Sequence, residues 1–311
     1  MVRSPLALVH NTTLIAILFA TAACGGGASS EDGGTSAGTG STGAGTTDST
    51  GPTGTTDPTS GAEEPAVCGD GVVAGAEQCD DGSDNGVGGK CKFDCSGLRV
   101  ASVEGDAIPF DGSPAGRVEG AEVSILEFPE MKMVTAADGK FKFDGLPVDA
   151  DITLVMSHPD YHPIQTGTHT LPDEGLQRIT FQAVSHAIYG ALAQIVGITP
   201  DETKYCQMVT TVTRVGKSIY DAGAHGEAGV VVTLDPPLPA EQGPIYFNSQ
   251  VIPELSLTET SDDGGVLFVQ VPPGEYTWTA TKVGAEFRPV RMKCRIGYLI
   301  NASPPWGLQR L

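Results

Sequence analysis

Positive charge is scarce in this chain. Lys and Arg number 18 against 38 Asp and Glu, which leaves a net charge of −20. A surface of that sign repels nucleic acid and anionic lipid headgroups, so no nucleic-acid partner is expected. Aromatic residues make up only 6%, beside 41 Gly and 22 Pro. That balance suits turn-rich β-structure with a disordered segment, not a helical protein. No apolar run approaches the roughly 20 residues that carry a helix across a bilayer. Catalytic signatures are also missing. There is no His-Glu-x-x-His, and Thr211 stands where a phosphate-binding loop ending in Gly216-Lys217-Ser218 requires glycine. His225-Gly226-Glu227 is not followed by the Pro-Cys-x-x-Cys of a zinc deaminase. Redox Cys-x-x-Cys pairs are absent as well.

What is present starts with an export signal. Arg3 precedes the apolar stretch Leu14 to Ala23, "LIAILFATAA". Such a stretch fits a signal-peptide core. It ends in Thr21-Ala22-Ala23-Cys24, which resembles the bacterial lipobox, with Thr21 in place of the usual leucine. The resemblance implies cleavage before Cys24 and lipidation of that residue. Two or three acyl chains would hold the protein on a membrane, where one would not. The expected location is therefore the outer membrane or a periplasm-facing envelope surface, or the cell surface, with a membrane reached through the lipid. Residues 24–66 are Gly, Ser, Thr and Ala with a few acids and no Lys or Arg. Such a segment cannot offset its ordering entropy and reads as a disordered tether. Its span as a flexible coil is about 35–40 Å.

Residues 67–97 hold four of the seven cysteines, at Cys68, Cys79, Cys91 and Cys95. The spacing, ten, eleven and three residues, has only one short gap and argues against a zinc module. In an exported protein disulfides are the default, with connectivity open. A module this small needs them to fold. The stretch "CGDG…EQCDDG…C-x3-C" resembles a Cys-rich repeat of myxobacterial surface proteins and, in its Asp-rich loops, Notch-type calcium modules. Asp81-x-Ser83-x-Asn85-Gly86 opens like an EF-hand loop, but Lys92 stands where the bidentate Glu belongs. A calcium cradle from Asp70, Asp80, Asp81, Asp84 and Asn85 remains as an expectation, against the alternative that these residues turn the chain.

From residue 98 the pattern becomes alternating apolar runs broken by turn signals, which reads as β-sandwich. One helix is expected in "SHAIYGALAQIVG". Ser185 caps it, Gly197 stops it, and Ile188, Leu192, Ile195 and Val196 form its apolar face. Two segments run in parallel, "TAADGKFKFDGLPVDADITLVMSHPDY" and "TSDDGGVLFVQVPPGEYTWTATKVGAEF", about 125 residues apart. In the second, Tyr276 and Trp278 share one face of a strand and read as core. Both hairpins resemble those of carboxypeptidase-regulatory-like domains, a family of transthyretin-like seven-stranded sandwiches. The likeness covers about Arg99 to Val184 and Tyr205 to Ala302. It implies non-catalytic accessory or adhesion modules.

The expected architecture is all-β. A signal peptide (1–23), a lipid-anchored linker (24–66) and a Cys-rich module (67–97) precede a first sandwich (98–185). A helical connector (186–203) and a second sandwich (204–311) follow. Cys206 and Cys294 are left over and are expected to pair, closing a loop worth about 4.5 kcal/mol. No cofactor is expected beyond the calcium question. The expected role is structural or adhesive, by contact with a protein or glycan surface. A calcium-dependent binding module is the second reading. The third is a metal-dependent enzyme with iron at His158, Tyr161, His162 and His169, by analogy with dioxygenases on a related sandwich. That reading lacks a second Tyr–His set.

Overall fold

The computed structural model describes residues 66–86, 88–110, 116–221 and 225–311. The export signal, Cys24 and the tether up to residue 65 lie outside the described residues. Among the described residues the regular structure is β-strand, apart from one α-helix and two short 3-10 turns. Period-two alternation makes the strands. In β4 (Lys140–Pro147), Phe141 and Phe143 are buried while Lys140 and Lys142 face water.

The first half is a seven-stranded sandwich. One sheet has the order β4-β1-β7, with β1 at Val100–Pro109 and β7 at Leu176–Ala183. The facing layer runs β3-β2-β5-β6, from Lys132–Val134, Glu122–Ile125, Asp151–His158 and Tyr161–Thr170. Phe141, Phe181, Leu154 and Met156 fill the space between.

The second half repeats this wiring. Its β8 (Cys206–Thr213) pairs antiparallel with β12 (Gly265–Val271), as β1 does with β4. It also pairs in parallel with β15 (Leu299–Ala302) and β16 (Leu308–Gln309), as β1 does with β7. Strands β9 (Val231–Asp235), β13 (Gly274–Thr281) and β14 (Val290–Cys294) follow the pairing of β2, β5 and β6. The correspondence reaches individual atoms. The Thr135 hydroxyl donates to Val118 O at 2.7 Å and accepts from Ala121 N at 3.0 Å. The Thr260 hydroxyl donates to Glu227 O at 2.6 Å and accepts from Val230 N at 3.0 Å. Three residues on, Asp138 accepts from Lys140 N and Asp263 from Gly265 N. Gly139 and Gly264 both have positive φ, and each carbonyl accepts from the first strand of its half, at Ala107 N and Val212 N. A Cβ at Gly139 would lie 2.7 Å from Ala107 O, and one at Gly264 2.2 Å from Val212 O, so only glycine fits either turn.

The third strand breaks the repeat. In the first half β3 pairs with β2, whereas β10 (Ile245–Phe247) pairs with β12 and with β11 (Pro253–Glu254).

The halves are not separate sandwiches joined by a connector. Strand β15 lies between β6 of the first half and β8 of the second, parallel to both. Leu299 aligns with Ile164 and belongs to the first core; Ile300 aligns with Met208 and belongs to the second. One wall therefore serves two cores, one on each face. The helix α1 (His186–Ile195) is capped by Ser185, whose Oγ accepts from Ile188 N. It buries Ala193 and is followed by buried Val196, while Ile195 points to water, a correction to the expected apolar face. Disulfides join Cys206 in β8 to Cys294 in β14, Cys68 to Cys95, and Cys79 to Cys91.

Candidate functional site

The Cys-rich module has almost no apolar interior. Val67, Val72, Val73 and Phe93 are all more than half exposed, and its buried residues include Cys91, Cys95 and Asn85. Its centre is polar and built on Asp80. One carboxylate oxygen accepts from Gly69 N, Asp70 N and Gly71 N at 2.9 to 3.2 Å. The other accepts from Gly82 N and Asn85 Nδ2, both at 2.8 Å. Positive φ at Gly69 and Gly71 curls these amides toward one point. Such a nest binds anions, and here it holds the chain's own carboxylate. Desolvation raises the Asp80 pKa, but the donors at Gly82, Asn85, Gly69 and Gly71 outweigh it and bring it to about 2. Asp81 Oδ2 accepts from Lys90 N and Cys91 N, and Asp70 Oδ1 from Val72 N. The Asn85 side-chain oxygen accepts from Asp81 N.

These residues do not fit a calcium cradle. Calcium takes six to eight oxygens pointing inward. Both Asp80 oxygens and Asp81 Oδ2 instead face N–H groups, whose positive ends oppose a cation. The Asp84 carboxylate accepts from Ser83 Oγ at 3.5 Å. Two groupings, Cys79–Asp81–Cys91 and Glu77–Asp80–Cys95, bring three metal-capable side chains together. Their sulfurs are spent in disulfides, so no thiolate is there to ligate.

Arg99 fastens the module to the first sandwich. Its guanidinium donates to Gly89 O at 2.7 Å, to Asp149 at 3.3 Å and to both oxygens of Asp173. Its backbone N–H donates to Lys90 O.

The His/Tyr cluster disperses. His158 lies against Tyr161, with ring centres 5.2 Å apart. His162 is buried and stacks flat on Tyr189 of α1 at 3.8 Å, and burial with His186 nearby pulls its pKa down to about 4. His169 packs near Trp306 at 5.3 Å. Each ring has its own aromatic neighbour, and the only groupings of metal-capable side chains among the described residues are the two in the Cys-rich module.

One feature has no sequence signature. A cleft of about 550 Å³ opens on the outer face of the β4-β1-β7 sheet, lined by Glu104, Asp106, Lys140, Lys142, Arg178 and Tyr220 among others. The loop after β8 closes one side. Tyr220 donates its hydroxyl to Asp106 and is 2.6 Å from Thr180 Oγ1; burial, then Asp106, raises its pKa. Arg178 lies 5.0 Å over the Tyr220 ring and donates to Ser218 Oγ at 2.9 Å. These residues come from β1, β4, β7 and a distant loop, and no spacing along the chain joins them.

No family model matches the chain, and no curated protein is similar to it. Among solved structures it is similar to the TIE protein of Bacillus anthracis, at 15% identity over 66% of this chain, with a TM-score of 0.24. The chain spans 34% of that protein's length. It is also similar to GBS52, the minor pilin of Streptococcus agalactiae, at 11% identity over 67% of this chain and 95% of that one, TM-score 0.22. The shaft pilin SpaA of Lactobacillus rhamnosus GG gives 11%, 68%, 97% and 0.20. Likeness at this level assigns neither family nor role. No helix among the described residues is long and apolar enough to cross a membrane.

Proposed function

We propose that this chain is a non-enzymatic lipoprotein of the cell envelope that displays a double β-sandwich for contact with a protein or glycan surface. One observation carries the reading: the side chains that promised chemistry are committed to structure. The cysteines of the folded part are paired, Asp80 and Asp81 anchor loop amides, and His158, His162 and His169 pack against rings. The export signal, Cys24 and the tether supply the setting. Lipid at Cys24 holds the chain on the membrane, the tether supplies reach, and the loops at the sandwich ends supply contacts. The test is detergent phase partition of the full chain expressed in a Gram-negative host. The wild type is expected in the detergent phase and Cys24→Ser in the aqueous phase. Identical partition of the two sinks the lipoprotein reading.

A further inference from the structure

The cleft over β1 differs from an ordinary exposed sheet face in three ways. Its floor is a central strand, paired with β4 on one side and β7 on the other. It therefore offers side chains and no free backbone groups to an incoming strand. Secondly, β7 bulges as it passes. Val103 pairs with Leu176 and Gly105 with Ile179, so Gln177 and Arg178 together oppose Glu104. Arg178 sits at φ +60°, a left-handed conformation that costs a non-glycine residue energy. Bulges re-aim side chains, and this one lays a guanidinium along the cleft over Tyr220. Thirdly, neither Arg178 nor Lys140 forms an ion pair among the described residues, although the chain carries net charge −20. Lys142, beside them, is held by Asp144 at 2.9 Å.

We propose that this cleft binds an acidic saccharide, a uronic acid unit of a glycan chain. Arg178 and Lys140 take the carboxylate, and the carboxylates of Glu104 and Asp138 accept from the ring hydroxyls. Beside the charged groups the lining includes Met133 and Phe141, apolar surface that the C–H face of a sugar ring can cover. A peptide strand would look for unpaired backbone; the β1 floor is paired on both sides, and on the β4 edge Lys140 N and Lys142 N already donate to Asp138 and Met133. A polyhydroxylated ring needs only side-chain donors and acceptors. This inference specifies the glycan alternative within the display reading and rests on that reading for its biological setting.

Calorimetric titration of the full chain with tri-galacturonic acid, its methyl ester and tri-glutamate tests the site. Saturable binding is expected for the free acid, with a loss of about tenfold or more for the ester, the size of one lost charge-assisted hydrogen bond. Arg178→Gly relieves the backbone strain while removing the guanidinium, so a folded variant with weakened binding is expected. Lys140→Ala should weaken binding further, and added salt should weaken it in the wild type. The proposal is overturned by absence of binding at millimolar acid, by equal affinity for acid and ester, by preference for tri-glutamate, or by Arg178→Gly binding like wild type. None of these outcomes alters the Cys24-dependent partition, so failure here leaves the lipoprotein reading to its own test.

Discussion

The two halves guard the same sheet edges by different means. In the first half β3 covers the outer edge of β2, and β4 is left at the end of its sheet. In the second half β10 has moved across to cover β12, which leaves β9 at the end. An open edge invites pairing with another chain. The β4 edge is blunted locally. Lys142 N donates to Met133 Sδ, Lys140 N to Asp138 Oδ1, and a register shift in the β1–β4 ladder leaves Asp144 and Gly145 opposite Ser102. Two lysines complete the guard. The β9 edge is capped by a reach from the displaced strand, since Val232 N donates to Tyr246 Oη at 3.1 Å. One duplicated scaffold has thus solved one problem twice. The Thr–Asp–Gly knot persisted in both copies, while the third strand was free to change neighbours.

Several measurements would break or sharpen this comparison. The largest effect is expected from Cys206→Ala with Cys294→Ala, a loss of about 4–5 kcal/mol from reopening a long loop. Because β15 walls both cores, hydrogen exchange should accelerate in β5 as well as in β13. Unchanged protection of β5 would show the halves to be independent. Next comes the pair Trp278→Ala and Leu154→Ala, at equivalent positions by their pairing with Leu234 and Ile125. Trp278 is fully buried and meets Phe268 edge-on at 4.9 Å. About 3–5 kcal/mol is expected for Trp278 and about 2–5 for Leu154, by chemical denaturation. A loss below about 1 kcal/mol at either position would contradict its placement at the centre of its core. Thr135→Val and Thr260→Val should each cost about 1–3 kcal/mol, because each strands a buried carbonyl and amide. Markedly unequal losses would mean the knot is structural in one half only.

The smallest effect belongs to the module. Asp80 titrates at about 2, below its ordinary 3.8. Its stabilisation is complete above the ordinary value and is lost as pH falls through about 2. Amide exchange at Gly69 and Gly71 should stay slow at pH 4 and quicken on approach to pH 2. Millimolar Ca²⁺ should leave the melting temperature unchanged. A calcium-dependent rise would revive the cradle.

The duplication was legible because Thr, Asp and Gly recur at fixed offsets and the strands beside them alternate. The turn chemistry lies within a few residues of itself, so spacing exposes it. The fused wall was not legible. "YLINA" reads as a buried strand whichever cores it serves, because a strand apolar on both faces has no phase to decode. The move of β10 was hidden for a related reason: "PIYF" makes a strand beside β9 or beside β12, and tertiary contacts choose. Aspartates in Gly-rich loops fit a metal site or a turn equally well from composition. Only the direction of the amides around Asp80 decides. The cleft was the least visible, since Asp106, Lys140, Arg178 and Tyr220 meet only after the sheet has formed and the loop after β8 has folded over it.

The bond between Cys68 and Cys95 has a mechanical consequence. Tension arriving from the N-terminal side at Cys68 crosses to Cys95 through a covalent link, so the loops between them bear no load. It then reaches Arg99, clamped to Asp149 and Asp173, and passes into Val100 at the start of β1. There it meets ladders to β4 on one side and β7 on the other. A pull along β1 shears those hydrogen bonds together. The small module thus serves as an inextensible coupling between Cys68 and the first sandwich.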